Sequence, residues 1–222
     1  MSKTYYKLSK KQKIYLYVKN CISRVAAAVG LVVSSPIFLG IIIAIKKEEG
    51  IKAPIFFKQK RVGQNQEYFD LYKVRSMKVD TPKNVPTHLL MNPDKFITRV
   101  GKFLRRSSLD ELPQLINILK GDMAICGPRP ALWNQYDLIE EREAYGVHQI
   151  KPGLTGWAQI HGRDELEIPE KARLDAYYLQ HFGLWIDIKC FFGTIISVLK
   201  SDGVVEGGTG EMKRKAGKKA GE

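Results

Sequence analysis

From Val25 to Ile45 the chain reads VAAAVGLVVSSPIFLGIIIAI, 21 residues without a charge. A straight helix of that length is about 31 Å long, close to the hydrocarbon thickness of a bilayer. A helix in a soluble core is seldom apolar on every face for so long. Residues 1–24 hold seven basic side chains and no acid, and Lys46, Lys47, Lys52, Lys58, Lys60 and Arg61 follow the run. A cleaved signal peptide needs a small-residue cleavage site, and Ile45-Lys46-Lys47 is a poor one. Three readings remain: a spanning helix, a re-entrant helix that enters and leaves on one face, and a buried soluble helix. Pro36, near the middle, removes one backbone hydrogen bond and crowds the carbonyl of Val32. The hydroxyls of Ser34 and Ser35 can satisfy backbone groups freed there, which makes a break tolerable in lipid. Basic residues at both ends keep both flanks cytoplasmic. These features favour a re-entrant helix over residues 25–47, broken at Ser35-Pro36. A proline kink in a spanning helix stays open as the alternative.

The remaining composition narrows the class. The chain has 222 residues, 36 Lys plus Arg against 23 Asp plus Glu, and a formal net charge of +13. Such an excess points to an anionic partner: nucleic acid, an anionic membrane surface or a phosphorylated substrate. Much of the charge flanks the apolar run or lies in residues 201–222, and no recognition-helix, RRM or OB signature accompanies it, so nucleic acid is not expected. Cys21, Cys126 and Cys190 are too few and too scattered for a disulfide framework or a zinc site, and read as buried, reduced thiols.

Beyond the run the chain divides into a basic N-terminal segment (1–24), the membrane helix (25–47), a cytoplasmic domain (48–200) and a disordered basic tail (201–222). The expected fold class is α/β, mostly helical with a short β-hairpin. Ala53 to Val62 and Glu67 to Arg75 read as two strands around a Gly63-Gln64-Asn65 turn. Residues 79–95 read as a surface loop. Phe96 to Arg106 is a basic amphipathic stretch, either an ordinary surface helix or one lying on anionic lipid. Leu112 to Leu119 has helical spacing and stops at Gly121. Trp133 to Tyr145 and Pro169 to Gln180 read as helices. Residues 151–163 are too rich in Gly and Pro for a regular element. Gly183 to Lys200 carries an apolar stripe that is core-like, though its Trp and Phe also suit a membrane interface.

The chemistry sits at residues 105–130, RRSSLDELPQLINILKGDMAICGPRP. Asp110 and Glu111 stand just after Arg105 and Arg106. By spacing alone, Ser108 and Glu111 fit a capping box at a helix N-terminus. The functional reading is a phosphate-handling site. One carboxylate can attack phosphorus, a second can hold Mg2+, and arginines supply bidentate phosphate contacts.

SLDELPQL at 108–115, LKGDM at 119–123, GPRP at 127–130 and KPGLTGWAQIHGR at 151–163 resemble, together and in order, the signature blocks of the bacterial sugar transferases. These are the monotopic polyprenyl-phosphate phosphoglycosyl transferases. The break at Ser35-Pro36 is similar to their re-entrant membrane helix. The similarity runs from about residue 19 to about 200 and corresponds to the small members of the family.

The resemblance implies an enzyme that moves a sugar-1-phosphate from a UDP-sugar to undecaprenyl phosphate and releases UMP. This is the first membrane step of bacterial polysaccharide or glycoprotein assembly. By the family match Asp110 is the nucleophile and forms a phosphosugar intermediate, while Glu111, with Asp110 beside it, holds Mg2+. Pro128, Arg129 and Pro130 match the motif associated with the nucleotide. Lys73, Arg105, Arg129 and Arg163 match the basic residues placed around the phosphates, and Asp175 matches a further acid near the site. The implied location is the bacterial inner membrane, with the catalytic domain on its cytoplasmic face against anionic lipid. His161 stands where the family commonly has Asn, and a loop histidine of this kind more often makes a structural hydrogen bond than serves as a base. Galactose, glucose, N-acetylated and diamino sugars are equally compatible with the motifs, and neither the glycan pathway nor the oligomeric state follows from them.

Overall fold

The computed structural model describes residues 4–79, 81, 95–162 and 166–200. Most of the 79–95 loop, Arg163 and the 201–222 tail lie outside these residues.

Helix α1 spans Lys10–Glu49, 40 residues, and opens on a capping box between Ser9 and Gln12. It continues through Pro36, so the expected break is a proline within one continuous helix and not a non-helical segment. Ser35 Oγ donates to the Val32 carbonyl at 2.8 Å, the acceptor that proline leaves without its usual N–H. Much of the apolar run stays outside the core. Val25, Val29, Val32, Val33, Ile37, Leu39 and Ile43 are all exposed, which sets aside the buried soluble helix. The helix is long and apolar enough to cross a membrane.

One face of the run and the segment before it nevertheless pack on the same body. Tyr15 and Leu16, with Leu8 just ahead of the helix, join the cluster of Cys126, Tyr178, Phe182 and Ile186. Lys19, 4% exposed, pairs with Asp187 at 2.7 Å, and Tyr15 donates to the same carboxylate at 2.7 Å. Ala27 packs with Leu71, Ile118 and Met123. Beyond the proline, Ile41 and Ile45 pack with Val74 and Leu104.

The hairpin forms as expected, trimmed at its ends. β1 (Phe56–Val62) pairs antiparallel with β2 (Tyr68–Val74), Phe56 opposite Val74 and Val62 opposite Tyr68. The turn between them is a 3-10 segment in which Asn65 and Gln66 take positive φ. Helix α2 (Arg99–Arg106) is shorter than the amphipathic stretch suggested, because Thr98 caps it through the Gly101 N–H. Glu48 of α1 accepts from the Arg99 and Val100 N–H groups at 2.8 and 2.9 Å, so α1 ends where α2 begins. Leu104 points inward while Phe103 is exposed. Gly101 has a steric role: a Cβ there would lie 1.9 Å from the Ser76 carbonyl oxygen.

Helix α3 (Gln114–Lys120) closes on Gly121 in the left-handed region, and α4 (Tyr136–Tyr145) on Gly146 likewise. Two strands had no counterpart in the sequence reading. β3 (Ala124–Cys126) pairs in parallel with β4 (Gly153–Thr155), so part of 151–163 is regular after all. A short helix, α5 (Trp157–Ile160), follows. The glycines that argued against regular structure are what permit it. A Cβ on Gly156 would meet the Gly127 carbonyl at 2.0 Å, and one on Gly153 the Gly127 nitrogen at 2.1 Å. Helices α6 (Ile168–Gln180) and α7 (Leu184–Lys200) complete the domain. Ile186 and Cys190 of α7 are buried, whereas Leu184, Trp185, Phe191, Phe192, Ile195 and Ile196 are exposed. Cys126 and Cys190 are buried free thiols as expected, but Cys21 is exposed. Burial pushes both buried thiols up to about 12, so they stay protonated and inert.

Candidate active site

The dyad is built on a strained turn. Arg106 ends α2, Ser107 follows, and Ser108 takes a left-handed conformation at φ 56°. Leu109–Glu111 then form one 3-10 turn. Non-glycine residues seldom adopt this conformation. It overturns the capping box, since the Ser108 side chain caps nothing and the Glu111 side chain turns away to basic partners. Leu109 and Leu112 hold the turn by packing on the cluster of Ile41, Ile45, Val74 and Leu104. Asp110 is 7% exposed.

Cations converge on this turn from distant segments. Lys73 Nζ, on β2, lies 3.0 Å from Glu111 Oε1 and 3.8 Å from Asp110 Oδ2. Arg129 Nη2 donates to the same Glu111 oxygen at 2.9 Å. Arg105 is fixed by donating through Nε to Ser76 Oγ at 2.9 Å, and its charge is felt at Asp110. Burial raises the Asp110 pKa, Lys73 opposes the rise, and neighbouring Glu111 adds to it. Burial also works to raise Glu111, but Arg129 and Lys73 outweigh it and hold that carboxyl well below the usual carboxylate range. The two neighbours are thus driven in opposite directions, as in sites where adjacent acids take different roles.

The support beneath these groups includes residues the motif reading missed. Asn117, fully buried on α3, accepts from the Tyr72 N–H at 3.0 Å and donates to the Asp70 carbonyl at 2.7 Å. It thereby fixes the stretch of β2 that presents Lys73. A polar residue inside the apolar stripe of LINIL was the available signal. The segment Pro128-Arg129-Pro130 is held at three successive carbonyls. Gly153 N–H donates to Pro128 at 3.0 Å, Arg142 Nη1 to Arg129 at 2.8 Å, and Arg61 Nη1 to Pro130 at 2.9 Å. Arg142 is in turn gripped by Asp175 through Nε at 2.9 Å and Nη2 at 2.6 Å. Asp175, 1% exposed, therefore sits one residue behind the site and reaches Arg129 through Arg142. A small cavity beside this segment is lined by Gly63, Pro128, Arg129, Arg142 and His148. Arg142 and Arg61 were the parts of this scaffold not foreseen, because neither lies in a recognisable block.

Lys73, Arg105, Asp110, Glu111 and Arg129 are therefore brought together, Asp175 stands behind them, and Arg163 falls outside the described residues. His161 is exposed and lies tilted against the Trp157 ring, with its Nδ1 2.8 Å from the Trp157 carbonyl oxygen, a structural contact. Among the described residues no three His, Cys, Asp or Glu side chains cluster to form a metal cage. A dyad of two carboxylates suits Mg2+ bound jointly with substrate phosphates, since that ion is usually held by one or two carboxylates and keeps other positions for water or phosphate.

A family model described as bacterial sugar transferase matches residues 14–201. The chain is 37% identical over 189 residues to the uncharacterized sugar transferase EpsL of Bacillus subtilis (strain 168), covering 85% of this chain and 91% of that protein. It is 35% identical over 195 residues to the UDP-N-acetylgalactosamine-undecaprenyl-phosphate N-acetylgalactosaminephosphotransferase of Aeromonas hydrophila, covering 86% of this chain but 45% of that one. To the UDP-glucose:undecaprenyl-phosphate glucose-1-phosphate transferase of Escherichia coli (strain K12) it is 42% identical over 178 residues, with 77% and 38% covered. The chain thus spans under half the length of these two larger relatives and most of the Bacillus protein. The family match starts within α1 and ends just past α7, so every element that sets the dyad lies inside it, and the chain belongs to the bacterial sugar transferases.

Proposed function

We propose that this chain transfers a sugar-1-phosphate from a UDP-sugar to undecaprenyl phosphate, releasing UMP, in two steps through Asp110. The observation that carries the reading is the buried Asp110, ringed by Lys73, Arg105 and Arg129, beside a Glu111 kept ionised. In the first step an Asp110 carboxylate oxygen attacks the β-phosphorus. The bond from that phosphorus to the oxygen bridging to the α-phosphorus breaks, and UMP leaves with the electron pair. In the second step a phosphate oxygen of the lipid attacks the acyl phosphate, and the P–O bond to Asp110 breaks and restores the carboxylate.

A carboxylate needs no general base at neutral pH, but it must approach an anionic diphosphate. Lys73, Arg105 and Arg129 offset that repulsion at fixed positions, which is the larger part of such catalysis. Glu111 is the residue to hold Mg2+, with Asp110 adjacent. Lys73 and Arg129 both bond its Oε1, and Oε2 makes no hydrogen bond among the described residues. The ion, when bound, would neutralise phosphate charge. Pro128–Pro130 is the rigid rail that aims Arg129, and it is the segment we assign to the nucleotide.

The membrane placement belongs to the same proposal: a monotopic protein of the inner membrane with its domain on the cytoplasmic face. Support comes from α1, whose apolar run keeps one face exposed while Ala27 near its start and Ile41 and Ile45 near its end pack on one domain. The exposed aromatic face of α7 and the basic flanks fit an anionic headgroup layer.

The test is UMP release with Mg2+ from a panel of UDP-sugars, with and without undecaprenyl phosphate. Acceptor-dependent turnover with one or a few sugars supports the proposal and identifies the donor. Release that ignores undecaprenyl phosphate at every concentration contradicts it.

A further inference from the structure

Each cation already described at the site has an acceptor: Lys73 and Arg129 on Glu111, Arg105 on Ser76, Arg142 on Asp175. Arg75 does not. Its Nε is buried without a hydrogen-bond partner, and among the described residues its side chain has no ion pair either. A buried guanidinium N–H left unpaired is costly, and on this half-buried side chain an anion brought from outside the chain would satisfy it.

Its position is well fixed. Arg75 follows directly on β2, and its N–H donates to the Ile55 carbonyl at 2.8 Å. Val74 and Ser76 on either side are buried at 1% and 6%, Val74 against Ile41 and Ile45 of α1 and Ser76 beneath Gly101 of α2. The strand alternation puts Arg75 on the opposite side, two residues along from Lys73. Ser76, the next residue, holds Arg105. Arg75 thus follows Lys73 by two residues along β2 and adjoins Ser76, the residue that holds Arg105, at the end of β2 where Val74 packs on the apolar helix. Arg129 comes from the other direction, held by α4 and β4.

We infer that Arg75 binds the phosphate of the polyprenyl acceptor. An acceptor of this class must leave its phosphate at the dyad while its chain runs into lipid, so its phosphate ligand belongs on the side of α1. The donor's nucleotide has no such constraint and is served by Arg129. This inference rests on the proposed two-substrate reaction and assigns one of its phosphates to a residue.

The test uses the full chain in phospholipid nanodiscs and compares wild type, Arg75→Met and Arg75→Lys. UMP release without acceptor, with the protein's intact mass, reads the first step. Initial rates against undecaprenyl phosphate concentration read the second. The expected result for Arg75→Met is a first step close to wild type, which also shows that the variant is folded. Its kcat/KM for the acceptor should fall roughly ten- to hundredfold, the scale of a lost charge-assisted hydrogen bond, with partial recovery in Arg75→Lys. A first step lost in parallel with the second, or an unchanged acceptor kcat/KM, overturns the inference. Should wild type itself form no covalent species, the two-step route fails, and the acceptor kcat/KM alone still decides the role of Arg75.

Discussion

At the scale of single residues, two adjacent carboxylates have been given unlike surroundings. Glu111 is paired with Lys73 and Arg129 through one oxygen and stays ionised, while burial raises Asp110. In the proposed route the reactive form of Asp110 is the anion, so intermediate formation should fall as pH drops through its raised pKa. Lys73 is the chief group opposing that rise. Lys73→Met should therefore move the acid limb of the pH–rate profile to higher pH and slow the first step roughly a hundredfold, the cost typical of losing one preorganised donor. Stopped-flow UMP release across pH reads both effects; an unmoved limb would show that Lys73 does not tune the nucleophile. Asp175 acts at one remove. Burial raises its pKa and the Arg142 guanidinium opposes the rise. Asp175→Ala leaves a buried cation unpaired and should destabilise the fold by about 3–5 kcal/mol. Thermal unfolding measures this, and an Asp175→Leu, Arg142→Met double variant should recover part of the loss.

At the scale of elements, what was legible depended on whether a pattern was local. The hairpin, α3 with its Gly121 stop and α6 follow from periodicity and turn residues within one segment. The β3–β4 pair does not, because each strand has three residues and its partner lies far along the chain. Its signal was present in Gly127, Gly153 and Gly156, but glycine at a close backbone contact looks like glycine in a loop until the partner is known. The capping box failed for a related reason. The S-x-x-E spacing is satisfied at 108–111, yet Lys73 and Arg129 compete for Glu111 from outside the segment, and Ser108 is left-handed. The dyad residues themselves were legible only through resemblance to a family, since spacing alone favoured the cap. Packing also makes a direct demand at Gly101, where a methyl group would collide with the Ser76 carbonyl. Gly101→Ala should lower stability by about 3 kcal/mol. It should also disturb Ser76 and hence Arg105; a melting temperature equal to wild type would show that α2 can move away at no cost.

At the scale of the whole molecule, α1 packs into the core along one face and leaves an apolar face exposed. A 40-residue helix is about 60 Å long, yet Tyr15 and Leu16 before its apolar run and Ile41 and Ile45 at the end of the run pack on one domain. A helix crossing the bilayer at that stretch would carry its flanks to opposite faces. Cysteine reporters at Lys10 and Lys52, in a Cys21→Ser background, should therefore both react with an impermeant maleimide from the cytoplasmic side alone; labelling from opposite sides would contradict a one-faced arrangement. In the proposed route the dyad, set between α1 and the Pro128–Pro130 rail, lets a polar nucleotide sugar and a lipid phosphate use one nucleophile in turn. The most direct measurement of that claim is the intact mass of the protein after brief incubation with Mg2+ and a UDP-sugar it turns over, without acceptor. Wild type should gain the mass of one phosphosugar, lose it when undecaprenyl phosphate is added, and show no gain as Asp110→Asn. An adduct of the same mass on Asp110→Asn, or full turnover by that variant, would contradict Asp110 as the nucleophile.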